Sequence, residues 1–166
     1  MLEALPYWLH LIAAAAWVGP QLMMFLVVVP GLGALDTGTR ARFLARISVR
    51  FGWLGAASLA LLLLTGIDNI DRYAPGRMFE FRYGYILAVK LALFGIVTVL
   101  TALHSLVVGP RLLRLQELAA HSPDSAPGLP RARRASALLS ALTLVLSLAV
   151  LFCAALLRSR WAFGPA

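Results

Sequence analysis

Tyr83 to Pro110 reads YGYILAVKLALFGIVTVLTALHSLVVGP, and Lys90 is its only formally charged residue. A helix rises about 1.5 Å per residue and needs roughly 20 apolar residues to cross about 30 Å of hydrocarbon. This stretch alone is therefore long enough to span a bilayer. Three further stretches, Ala4 to Leu35, Phe51 to Ile67 and Ala135 to Leu157, carry no Asp, Glu, Lys or Arg. The shortest of them, Phe51 to Ile67, spans with help from Arg50, whose long side chain can snorkel from a helix end. The chain as a whole is 61% hydrophobic and 13% charged, whereas soluble domains are about 25% charged. The pattern predicts an all-α integral membrane protein: a single domain, residues 1–166, built as a four-transmembrane-helix bundle with helices at about 6–29, 51–68, 84–108 and 135–157.

The charges lie at the ends of these spans. Arg40, Arg42, Arg46 and Arg50 occupy the first loop, and Arg111, Arg114, Arg131, Arg133 and Arg134 the third. Fewer fall in the second loop and the tail: Arg72, Arg77, Arg82, Arg158 and Arg160. Arginine-rich loops stay cytoplasmic, so both termini are expected on the periplasmic side of a bacterial inner membrane. The net charge of +8 is then a topology and headgroup signal, with membrane lipid as the partner and no nucleic acid. Met1, Leu2 and Glu3 lack the basic flank of a secretory signal and the apolar run is too long for one, so the first span is expected to be a retained helix. Cys153 is the single cysteine, so neither an intrachain disulfide nor a cysteine-based zinc site is expected.

Within the first span Pro20 removes the donor to the Ala16 carbonyl, and a kink is expected there. Arg42, Arg46 and Arg50 recur every four residues opposite Phe43, Leu44 and Ile47, the pattern of an amphipathic segment lying on the inner surface over about 40–50. Ser122, Pro123, Asp124, Ser125, Ala126, Pro127, Gly128, Leu129 and Pro130 mark a flexible loop over about 119–134. Pro75, Gly76 and their aromatic neighbours mark a short outer loop. The sequence shows no convincing internal repeat.

Lys90, His10 and His104 are the ionisable residues inside the apolar spans, where burial is costly without partners. His10 and Lys90 should share an outer level, to which Thr65, Asp68 and Asn69 at the end of the second helix could contribute. The competing readings are snorkelling for Lys90, an interfacial position for His10 beside Tyr7 and Trp8, and simple solvation for Asp68. His104 shares a face with Lys90, Val97 and Thr101; on the first helix His10, Ala14, Trp17, Gln21 and Met24 form another. Met24 then reaches the depth of His104. Imidazole and thioether hold soft Cu(I), so His104 with Met24 or Met23 is a candidate metal site, set against methionines that only pack. His10 and His104 should lie roughly 20 Å apart in depth, which argues against a haem held axially by both. Ser136, Ser140, Thr143 and Ser147 line one side of the fourth helix and suit close helix packing. No hydrolase or nucleotide-binding motif is present.

Trp8-Leu9-His10-Leu11, Trp17-Val18-Gly19, Pro30, Arg42-Phe43, Leu64-Thr65-Gly66 and the run Tyr83-Gly84-Tyr85-Ile86-Leu87-Ala88-Val89-Lys90-Leu91 together resemble the CopD-like copper-resistance membrane domain. That resemblance implies a bacterial inner-membrane protein that handles copper. The pattern is also similar to HemJ-like protoporphyrinogen oxidases, with a histidine in the first helix and a lysine in the third; Pro20, Gln21, Leu22, Met23 and Met24 stand where that family carries a basic and aromatic segment. The leading expectation is copper handling through His10, His104, Met24 and Met23. Its alternatives are a haem b redox protein with His10 or His104 as axial ligand and Lys90 on a propionate, and a non-catalytic subunit. Association with a second copy, or with a membrane or periplasmic protein, stays open beside each of these.

Overall fold

A computed structural model of the protein describes residues 4–74, 76, 78–122 and 125–164. The readings placed on Met1, Leu2, Glu3, Pro75, Arg77, Pro123 and Asp124 lie outside these residues. Four helical stretches are long and apolar enough to cross a membrane: Leu5–Ala34, Gly38–Arg72, Arg82–Ala120 and Leu129–Leu157. With no β-strand among the described residues, the fold is that of an all-α, four-helix membrane protein. Its outward faces are apolar, with Leu26, Leu64 and Val99 each about two-thirds exposed, and a bilayer is the solvent that satisfies such a surface.

The first span begins as α1 (Leu5–Met23) with proline in its first turn, where no donor is lost. It passes through Pro20, gives way to a π-turn at Met24–Val28, and finishes as the single turn α2 (Val29–Gly31) and a 3-10 turn at Leu32–Ala34. Asp36 then caps the next helix, its carboxylate accepting the Thr39 backbone N–H at 2.9 Å. That helix, α3 (Thr37–Tyr73), is continuous, so the arginine-bearing segment at 40–50 and the span at 51–68 are one element. The third span is α4 (Arg82–Leu103), a second π-turn at His104–Val108, and α5 (Gly109–His121). The fourth is α6 (Leu129–Leu157), with proline again in the first turn. Helix thus enters both ends of the loop expected at 119–134.

Helix α1 packs along α3, and α4 along α6; α1 also meets α6, and α3 meets α5. A central link is the indole N–H of Trp17, which donates to Ser147 Oγ at 3.0 Å. Ser147 spends its one proton on the Thr143 carbonyl at 2.7 Å, so its oxygen is free to accept. Gly55 makes room for this indole, since a Cβ there would lie 3.1 Å from Trp17 Cζ3. Interhelical hydrogen bonds in membranes average about 0.6 kcal/mol. Ser147→Ala should therefore lower stability in detergent by about that amount, and should cost nothing further in a Trp17→Phe background. Fully additive losses would show that the two side chains are not coupled.

At the other end of the bundle the 3-10 turn Arg160–Phe163 folds back onto the start of α4. Arg82 N–H donates to the Gly164 carbonyl, and the Arg82 guanidinium lies 4.7 Å from the Trp161 ring centre. Arg158 sits 4.9 Å from the Tyr7 ring centre. Beneath these contacts Tyr83, Leu87, Leu157 and Ala162 form a small core. Cation–π contacts suit helix ends, where a charged head stays wet above an apolar body.

Candidate functional site

Polar side chains from all four spans gather at one level. His10 on α1 is hydrogen-bonded through Nδ1 to Thr65 Oγ1 on α3 at 2.8 Å, and Thr65 is itself buried. Gly66, the next residue, lies beside the ring: a Cβ there would stand 3.6 Å from His10 Cε1, an ordinary contact distance. Lys90 on α4 lies within electrostatic reach of His10, and Cys153 on α6, a buried free thiol, lies within reach of Lys90. Lys90 is itself partly buried rather than exposed.

Asp68, the carboxylate considered for this level, turns away. Its Oδ2 accepts from Arg72 Nε at 2.7 Å in a solvent-exposed pair along the same helix. The residue of the second span that meets His10 is Thr65, one turn nearer the membrane centre. Cys153, the single cysteine of the sequence, carries no spacing signal that would place it in this layer. The one signal for Thr65 is its place as a hydroxyl beside a glycine in an otherwise apolar run, and small polar residues of that kind are where helices approach and hydrogen-bond.

Several buried polar atoms lack a partner among the described residues, Asn69 Oδ1 on α3 and Gln116 Oε1 on α5 among them. Gln21 Nε2 donates to the Trp17 carbonyl at 2.9 Å, but Gln21 Oε1 is buried without a partner. Nδ1 of His104 is likewise buried and unpartnered. The α1 face made by His10, Ala14, Trp17, Gln21 and Met24 is partly buried at every position. Met23 is different. It is 57% exposed and lines a shallow outward groove with Gly19, Pro20, Arg50, Phe51 and Leu54. Of the two adjacent methionines, only Met24 is turned partly inward.

The two π-turns stand in corresponding places. In the first, the Val29 N–H bonds to the Met24 carbonyl, and Pro30 follows; in the second, the Gly109 N–H bonds to the His104 carbonyl, and Pro110 follows. The same interval separates His10 from Met24 and Lys90 from His104. The first and third spans thus carry matching π-turns, with His10 and Lys90 at the same interval before Met24 and His104. Among the described residues no group of three or more His, Cys, Asp and Glu is placed to hold a metal ion.

These features define a multi-pass helical membrane protein with polar layers inside its bundle. Residues 45–157, more than half of the chain, match the family described as copper resistance protein D, CopD; the chain belongs to that family. The match includes Thr65, Lys90, His104 and Cys153, while His10, Met23 and Met24 precede it. It does not show the similarity to HemJ-like oxidases, and no finding supports a haem. Comparison with curated proteins gives no match, and neither does comparison with solved structures.

Proposed function

We propose that this copper-resistance membrane protein passes copper through the bilayer on intramembrane histidine and methionine ligands. His10 receives the ion at one level, and His104 with Met24 holds it at the other. The observation that carries this reading is the buried, unpartnered Nδ1 of His104. A buried polar group left without a hydrogen bond costs about 1–3 kcal/mol, and hydrocarbon offers no replacement partner. A soft cation would offset that cost, and imidazole with thioether is a donor set suited to Cu(I).

The matching π-turns of the first and third spans support the pairing. Met24 and His104 each open a π-turn, a local irregularity that recurs at functional sites. Pro30 and Pro110 each withhold one backbone N–H, which leaves a carbonyl in each turn without its helical donor. The experiment is Cu(I) titration of the purified protein against a competing chelator, comparing wild type with His104→Ala; equal affinity would dismiss the site.

The direction of passage rests on orientation. With nine arginines in the first and third loops against five elsewhere, we propose that both termini face the periplasm of the bacterial inner membrane. Reporter fusions at Arg40 and at Ala126 should both read as cytoplasmic. A periplasmic signal from either position would overturn this orientation.

A further inference from the structure

We infer that Thr65 is a positioning residue which fixes the tautomer of His10, so that Nδ1 carries the proton and the lone pair of Nε2 is presented to a ligand. The inference rests on the copper reading for the identity of that ligand, but not for the tautomer itself.

A threonine hydroxyl has one proton to give and two lone pairs to receive with. Thr65 Oγ1 makes two close contacts: one to the Leu61 carbonyl oxygen at 2.6 Å, the other to His10 Nδ1 at 2.8 Å. The proton cannot serve both. If it pointed at the imidazole, two oxygens would face each other at 2.6 Å with no hydrogen between them. If it lies on the Leu61 carbonyl, both contacts are hydrogen bonds, provided that the ring donates from Nδ1. Only the second arrangement satisfies every atom. Bonding of a threonine hydroxyl to the carbonyl four residues back is its ordinary habit inside a helix. Thr98, Thr101 and Thr143 do the same in this protein.

In the neutral ring, a proton on Nδ1 leaves Nε2 as the lone-pair nitrogen. Metal-binding histidines are commonly held in this way, with one nitrogen anchored to an acceptor and the other bound to the ion. The anchor here is a hydroxyl whose own proton is committed elsewhere.

The test begins without metal. Protein labelled with 15N-histidine is studied by NMR at alkaline pH, well above the ordinary imidazole value, with His10→Gln used to assign the resonance. Wild type should show His10 protonated at Nδ1; protonation at Nε2 would overturn the inference. Thr65→Val, which keeps the shape and loses the acceptor, should lose that preference. Thr65→Ser should keep it. An unchanged tautomer in folded Thr65→Val would equally overturn the inference. The second arm is Cu(I) titration of the same three proteins. Loss of an outer partner of a metal-bound histidine typically weakens binding about 10–100-fold, so Thr65→Val should bind that much more weakly and Thr65→Ser close to wild type. If the tautomer follows Thr65 while Cu(I) affinity is the same in all three proteins and in His10→Gln, the positioning holds and the copper reading of His10 fails.

Discussion

Replacing His104 with Ala is expected to abolish Cu(I) binding at the deeper station, while Met24→Leu weakens it and leaves a measurable affinity. The difference follows from the donor set, since Met24→Leu leaves the His104 imidazole in place whereas His104→Ala removes the nitrogen donor of this station. A further variant separates lost ligation from lost folding. Nδ1 of His104 has no hydrogen-bond partner among the described residues, so His104→Leu removes a polar burden without breaking a bond. Filling such a position with an apolar side chain is neutral or stabilising. The metal-free His104→Leu protein should therefore melt at or above the wild-type temperature in detergent, yet bind no Cu(I) there. Ligand-induced stabilisation, present in wild type, should vanish from it. A variant that melts lower and still binds would show that His104 is a packing residue.

Gly84→Ala is expected to destabilise the protein by about 1–3 kcal/mol, the usual cost of overpacking. Gly84 is buried near the start of α4, under the turn that leads into it. A Cβ there would meet the Met78 carbonyl oxygen at 2.7 Å and Phe79 Cδ1 at 2.8 Å. The first of these is backbone, which cannot rotate aside as a long side chain would. The turn Met78–Glu80 would have to lift from the helix, straining the bonds from Phe81 N–H to Met78 O and from Gly84 N–H to Phe81 O. Gly95 in the same helix is the control, since a Cβ there meets nothing within 4 Å. Gly95→Ala should be neutral or raise stability by up to about 1 kcal/mol through helix propensity. Thermal unfolding of both variants in one detergent decides the matter. Equal behaviour of the two would mean that the approach at Gly84 is not tight.

The inward face of α1 was readable from spacing alone. Residues three and four apart share a side of a helix, and His10, Ala14, Trp17, Gln21 and Met24 are all partly buried. What His10 meets on the next helix was not readable. Asp68 was the chemically obvious candidate, but a carboxylate four residues before Arg72 has a local partner that requires no distant helix to arrive. Thr65, a weaker polar group, is the one directed inward. The methionines illustrate the same limit. Met23 and Met24 are adjacent and chemically identical, yet a step of about 100° around the helix sends one to an outward groove and leaves the other partly buried.

By itself the sequence determined the number of spans, their helical state and the ionisable residues they contain. The reason is that hydrocarbon thickness sets the length of an apolar run, and a backbone in lipid must satisfy its own hydrogen bonds. Only the tertiary structure decided which polar groups meet: His10 with Thr65, Trp17 with Ser147, and His104 with no protein partner at Nδ1. It also disclosed the paired π-turns of the first and third spans. Within a bilayer no hydrophobic force drives helix against helix, so lateral packing depends on close fit and single hydrogen bonds. Those depend on the direction of each side chain around its helix, and one-dimensional apolar runs carry little of that information.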